Sequence, residues 1–365
     1  MNNKTKSRAL FFVLFILTGL SACRKDDTPT PGDKLPNQTE QGLYLLCQGT
    51  FGSSNAAIDY YDFEKDSMYL NVFNKANPEI VKGLGDVGND LGIYGSKMYI
   101  VVNNSNKIEV VDAHSVKRIK KIDFPQGRYI TFYDGKAFAT SSKGYVAIID
   151  TTSLTIIDTI KVGSNPEQLA VANQKLYVAN SGGFNFPHYD STLSVIDLQT
   201  NEEIKKIDVG INVTNVVANQ DGDLYAIAKG NYSDIPANLY SIDTQADTVI
   251  KTFNISATNM TMSGNKLYVY QYAFDYNTNQ NTKSYMLINT QNNDVISQHF
   301  IASNIEQQIN IPFGITIQPN NRHIYISAAK DYTSPGNLYH LDQDGNLIWK
   351  VKTDVNPSKV IFLFQ

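Results

Sequence analysis

The chain has 365 residues, of which 42% are hydrophobic and 11% aromatic, with 22 Tyr, 17 Phe and 23 Gly. That apolar content excludes wholesale disorder, and the residue mix excludes a coiled coil. Only 18% of residues are charged and the net charge is −4, which argues against a nucleic-acid partner, since phosphate backbones need a basic face. Tyr, Phe, Ile, Val and Thr favour strands while Asn and Gly favour turns, so an all-β protein is expected.

In chain order, the first segment is a targeting sequence. Lys4, Lys6 and Arg8 precede an apolar run from Ala9 to Leu20. Twelve apolar residues are too few for a helix across a hydrocarbon core of ~30 Å, so residues 1–22 read as a signal peptide. The run ends Leu20-Ser21-Ala22-Cys23, which resembles the bacterial lipobox. The resemblance implies that Cys23 is lipidated and becomes the mature N-terminus. Lys25, Asp26 and Asp27 follow, and resemble the export signal of Bacteroidetes lipoproteins carried to the outer face of the outer membrane. The implied location is an outer-membrane lipid anchor facing the exterior, with the N-terminal lipid as the sole membrane attachment. Residues 23–41 are polar and Pro-containing, a flexible tether. Losing three basic residues with the signal leaves 28 of 31 against 35 acidic ones, a net charge of −7. Cys47 is then the only other thiol, so no disulfide framework or cysteine zinc site is expected. It lies in an apolar run and reads as a buried, inert thiol.

Residues 42–365 carry an internal repeat. An apolar–aromatic–apolar triplet centres on Tyr44, Tyr99, Phe138, Tyr177, Tyr225, Tyr268 and Tyr325. An apolar strand ending in a turn residue closes at Asp62, Asp112, Asp150, Asp197, Asp243, Asn289 and Asp342. The two patterns alternate strictly, and six steps from Asp62 to Asp342 average about 47 residues. That period fits four short strands per unit, as in a propeller blade, with a multi-sheet β-solenoid as the alternative. We denote the strands A to D from axis to rim. A strands are expected near 90–95, 129–134, 168–173, 213–219, 259–264 and 313–319. D strands are expected near 118–123, 155–162, 203–209 and 249–255. The first unit lacks an A strand, and the chain ends in an unpartnered apolar stretch, 359–364. The expected fold is therefore a seven-bladed β-propeller of four-stranded blades, its ring closed by the C-terminal strand joining the N-terminal blade. Segments such as Leu176-Tyr177-Val178-Ala179-Asn180 and Leu193-Ser194-Val195-Ile196-Asp197-Leu198 resemble the repeats of YncE-like and surface-layer-type propellers.

The A–B and C–D turns are short, whereas the aromatic-to-turn spacings across the B–C segments vary: 18, 13, 12, 20, 18, 21 and 17. Loops longer than a fold requires tend to carry function, so the B–C face is the expected binding face. It offers Gln48 and Phe51 in the first repeat, then Asn180, Phe184, Phe186, His188 and Tyr189. Further along come Tyr232, then Tyr272, Phe274 and Tyr276, then Lys330 and Tyr332. Exposed rings with amide donors and acceptors suit a small ligand. Nearer the axis, the A-strand starts (Asn89, Arg128, Glu167, Asn215, Asn259, Phe313) and B-strand ends (Gln48, Asn103, Ser142, Ser181, Lys229, Tyr272) are expected to ring the channel mouth.

Catalysis has little support. The five histidines are scattered, no spacing suggests a metal site, and no nucleophile elbow or phosphate loop occurs. No cofactor is expected. The recurring Asp residues read as turn caps. The combination of lipobox, acidic cluster, tether and blades resembles the cobalamin-capturing surface propellers of Bacteroidetes. That resemblance implies a corrinoid ligand and a TonB-dependent outer-membrane transporter as partner. A glycan- or protein-binding module is the alternative, and an enzyme (lyase or quinone-dependent oxidoreductase) or a structural envelope protein stands further off.

Overall fold

The computed structural model describes residues 39–219, 221–275 and 280–365. The chain forms seven four-stranded antiparallel sheets in a ring, a seven-bladed β-propeller. Six blades are built from consecutive strands. Their inner strands are Gly88–Tyr94, Gly127–Tyr133, Pro166–Ala172, Val213–Ala218, Asn259–Ser263 and Ile311–Ile317. The first blade is composite: Pro357–Phe364 is its inner strand, followed by Glu40–Cys47, Ala57–Asp62 and Ser67–Tyr69. Leu43 pairs with Phe362 and Leu45 with Val360, so the C-terminal strand covers the edge that Glu40–Cys47 would otherwise expose. Lys359 Nζ meets Asp90 Oδ1 at 2.5 Å, and Asp90 Oδ2 accepts the Ile130 N–H. The closing strand is thereby tied to the second and third blades.

The core lies in the seams between blades. Tyr44, Leu46 and Ile58 of the first blade pack with Leu91, Met98 and Ile100 of the second. Burying apolar side chains at ~25 cal/mol per Å2 is the main stabilising term. The recurring B-strand aromatic has a second role. The Tyr44 hydroxyl donates to Ala113 O at 2.7 Å, that of Tyr177 to Asp247 Oδ1 at 2.6 Å, and that of Tyr225 to Asn293 Oδ1 at 2.5 Å. Each acceptor lies in the C–D turn of the next blade, so the ring buries its face in the seam and its hydroxyl latches the neighbour.

The C–D turns repeat one local solution. Asp62, Asp112, Asp150, Asp197 and Asp243 each accept backbone N–H bonds from the residues two and three places on. Asp342 caps Asp344 and Asn346, and Asn289 caps Gln291. The residue four places after each of the first six caps has positive φ: Asp66, Val116, Leu154, Asn201, Asp247 and Asn293. Asp and Asn tolerate that geometry; Val116 and Leu154 hold it because both are buried in the core.

Candidate functional site

The faces of the ring differ. The loop-rich face opens into a cavity of about 440 Å3 at the channel mouth. Its floor is made by the first residues of the inner strands. Arg128 and Glu167, in adjacent blades, form an ion pair, with Nε and Nη2 2.9 and 2.8 Å from Oε2. Arg128 Nη1 also donates to Asn89 Oδ1 at 2.7 Å. Burial pushes the Glu167 carboxyl up while the Arg128 charge pulls it back. Thr214, Asn215, Thr258 and Asn259 continue the floor as hydroxyls and amides. A β-bulge lies at the start of six of the seven inner strands, as between Gly127 and Ile130 and between Pro166 and Leu169. Such bulges re-aim side chains, here Arg128 and Glu167.

Lys229 stands in the wall just beyond the B strand Leu224–Ala228. Its ammonium donates to the carbonyls of Thr258 and, at 3.4 Å, Ala257. Loss of water lowers its pKa to about 8. Tyr129 and Tyr270 line the cavity below the rim, and burial pushes both hydroxyls up.

The rim is aromatic: Phe184, Tyr189, Tyr232, Tyr272, Phe313 and Tyr332. Phe186, Tyr189 and Tyr232 form a run of edge-to-face contacts, with centroids 6.1 and 6.3 Å apart, across two blades. Tyr332 meets Phe313 in the same way. Asparagines just before the inner strands hold these loops. Asn165, Asn212 and Asn356 all have positive φ. Asn165 donates to Ser142 O and accepts from Phe184 N; Asn356 donates to Gly49 O and Tyr332 O. Each of these two amides staples loops from neighbouring blades. Sequence reasoning passed over this device, although an Asn immediately before several inner strands was visible.

Of the residues expected at the site, the cavity brings together Arg128, Phe184, Tyr189, Tyr232, Tyr272 and Tyr332. It adds Glu167, Ser181, Lys229, Asn215, Asn259 and Phe313 from the expected axial ring, and Tyr129 and Tyr270, which the sequence did not single out. Others lie elsewhere. Asn180 is fully buried and donates to Thr192 Oγ1 and Ser194 Oγ inside its own blade. Asn103 donates to Gly127 O. Gln48 and Phe51 belong to the first blade, which contributes nothing to the cavity wall; Phe51 is 76% exposed. Phe186, His188, Phe274 and Lys330 are exposed outside the lining. Tyr276, Cys23, Lys25, Asp26 and Asp27 lie outside the described residues. The expected ring is therefore lopsided: blades three to seven wall the cavity. The segment around Tyr272 is a hairpin rather than a loop. Lys266–Asp275 pairs with Gln280–Asn289, with Tyr272 opposite Lys283 and Phe274 opposite Asn281. The period-two aromatics Tyr270, Tyr272 and Phe274 account for that extension.

Two histidines that look scattered in sequence meet in space. His323 Nδ1 and His340 Nε2 are 2.8 Å apart, and His340 stacks on Tyr325. Burial, with His323 beside it, pulls the His340 pKa down to about 4. Among the described residues, no group of three or more His, Cys, Asp or Glu is placed to hold a metal. No helix among them is long and apolar enough to cross a membrane.

Several solved structures share this fold. A quinonprotein alcohol dehydrogenase-like protein of Bacteroides thetaiotaomicron superposes with a TM-score of 0.61 at 15% identity, over 89% of this chain and 79% of that one. Hydrazine synthase of Kuenenia stuttgartiensis gives 0.60 at 17% identity, over 74% and 88%. A chain of the mitotic checkpoint complex gives 0.56 at 12% identity, over 97% and 91%. At these identities the likeness is one of fold alone. No curated protein matches the chain. The family match covers residues 41–356, and by it the chain belongs to the family described as domain of unknown function DUF5074.

Proposed function

We propose that this protein is a non-catalytic binding protein that holds a small ligand at the loop-rich mouth of the propeller. The observation that carries the reading is the combination at one opening: an aromatic rim above a floor of amides, hydroxyls and one ion pair. Ligand sites of this kind pair apolar area with a few placed polar groups. A corrinoid suits the arrangement, being broad and part-apolar with many amide arms. The mouth is open, so a ligand wider than the cavity can lie across the rim and send polar arms to Asn215, Asn259 and Tyr270. The lipobox and acidic cluster support display on the outer surface through lipidated Cys23, with hand-over to a TonB-dependent transporter. Calorimetric titration of residues 24–365 with cyanocobalamin tests the reading. Tight one-to-one binding, weakened at least tenfold by Tyr272→Ala or Tyr232→Ala, is the expected result. Absence of heat, together with no co-elution of the coloured ligand, sinks the corrinoid assignment.

A glycan is the second reading, favoured by the exposure of Phe184, Phe186 and Tyr232, each about three-quarters exposed, on one face. Sugar rings stack on such surfaces. Binding of oligosaccharides in place of cyanocobalamin would decide for it.

A further inference from the structure

We infer that the ligand of the mouth carries an oxyanion, a phosphate or carboxylate, and that Lys229 receives it. This rests on the reading of the mouth as a ligand site and names one chemical requirement of it.

Among the described residues, three charged side chains line the cavity: Arg128, Glu167 and Lys229. Glu167 is committed to Arg128, and these two neutralise each other. Lys229 is left as a cation whose hydrogen bonds go to two backbone carbonyls. Carbonyl dipoles orient an ammonium but do not neutralise it.

Among the described residues, no carboxylate pairs with it. Asp234, in the loop that follows Lys229, takes the Asn231 amide. Asp190, in the adjoining blade, accepts from Ser164 N with one oxygen, and from Ser191 N, Thr192 N and Thr192 Oγ1 with the other. The protein as a whole is acidic, so a cation left without a carboxylate partner among the described residues of the mouth is a local exception. Removing an ammonium from water without a counter-ion is costly, and an anionic ligand group relieves that cost. The surroundings suit a compact oxyanion. The Asn215 and Asn259 amides line the same cavity, whereas the Thr214 and Thr258 hydroxyls are spent on Asn215 Oδ1 and Tyr272 O, and the rim rings cover the less polar part of the ligand.

The sign of the pH dependence follows. Lys229 is protonated below about pH 8 and loses its charge above. An anion binds the protonated form, so affinity falls about tenfold per pH unit above 8. The neighbouring titratable groups do not mimic this. Tyr129, Tyr270, Tyr272 and Tyr332 are all displaced upward by burial, away from that range. The Glu167 carboxyl is held by Arg128.

The test uses small probes that share a phenyl ring and differ in the polar group, so that it does not depend on the corrinoid assignment. Phenyl phosphate, benzoate and phenol are titrated calorimetrically into the purified chain, and cyanocobalamin is titrated in parallel. The expected result is at least tenfold tighter binding of phenyl phosphate or benzoate than of phenol. Lys229→Met should abolish that preference. Lys229→Arg, which keeps the charge, should retain it. A preference for phosphate over benzoate, or the reverse, identifies the oxyanion. Equal binding of all three probes by the native protein overturns the inference, as does a preference that survives Lys229→Met. Loss of phenol binding in Lys229→Met would show that the variant disturbs the wall, and Lys229→Arg, judged by retention of the preference, then decides. The two readings fail separately. Silent cyanocobalamin with an intact anion preference removes the corrinoid and leaves this inference standing; tight cyanocobalamin with no anion preference does the reverse.

Discussion

The two faces of the ring are built from the same seven blades and behave as different materials. On the tight face, one turn recurs: an Asp or Asn cap and, in the first six repeats, a residue of positive φ four places on. On the loop-rich face no two segments agree. One is a buried amide network around Asn180, one a long hairpin carrying Tyr272, one a loop presenting Tyr232. Repetition marks what closure of a ring demands of every blade. Irregularity marks what closure leaves free, and the cavity lies there.

The comparison makes stability and ligand binding separable. The largest expected effect is on ring closure. Deleting residues 357–365 removes the inner strand of the first blade, uncovers the Glu40–Cys47 edge and strips partners from Leu43 and Leu45. The cooperative thermal transition should disappear; even the milder Phe362→Ala should cost about 3–5 kcal/mol by chemical denaturation. Persistence of a sharp transition in the deletion would mean the ring does not depend on its closing strand.

A smaller loss is expected from the inter-blade latch. Tyr177→Phe keeps the buried ring and removes the hydroxyl that meets Asp247 Oδ1, for about 1–2 kcal/mol. Phe138, which occupies the same place in the third blade without a hydroxyl, is the natural control: Phe138→Tyr should bring no comparable gain.

A third effect depends on pH. Asp59 is fully buried at the seam of the first and last blades, accepting from Asn71 N and Asp354 N. Burial, with the Asp354 carboxylate beside it, holds its carboxyl well above the usual range. The folded state therefore binds a proton more tightly than the unfolded one. This stabilisation is complete below the ordinary carboxylate pKa and is lost as pH rises toward neutrality. Asp59→Asn should remove on the order of 1–2 kcal/mol of that pH dependence, read as melting curves between about pH 5 and pH 8. An unchanged slope would place the proton elsewhere.

The smallest expected effect on stability is on the loop-rich face. Tyr232 is 75% exposed, and Tyr232→Ala should stay within about 0.5 kcal/mol of the native protein while ligand affinity falls. Phe51→Ala, equally exposed but outside the cavity, should change neither. A binding loss at Phe51 would show that the first blade also takes part.

The blades were legible because their signals are local. A triplet and a capping Asp are each read within a few residues, and their period counts the units. Closure was legible too, since a missing first strand and a surplus last one admit few other arrangements. The site was legible in outline only. The expected axial ring contained Arg128, Glu167, Lys229, Asn215 and Asn259, yet nothing in the chain distinguished these from Asn89 or Asn103, which lie at equivalent places in a blade that adds nothing to the wall. Asn180 shows the opposite failure. Its loop is rich in Gly and aromatics, as a binding loop is, but its own side chain faces inward and completes the hydrogen bonds of Thr192 and Ser194.

What the sequence determined by itself is therefore the number, order and closure of the blades and the face on which variation accumulates. Turn chemistry and strand periodicity act over a few residues and repeat. The tertiary structure decided which variable residues share one cavity. Arg128 finds Glu167 across 39 residues, and Tyr177 finds Asp247 across 70. That Lys229 meets the carbonyls of Ala257 and Thr258, some 28 and 29 residues away, is likewise set by how neighbouring blades pack. Such pairings depend on how blades pack around the axis, and a charge is satisfied or left bare by what lies beside it in space.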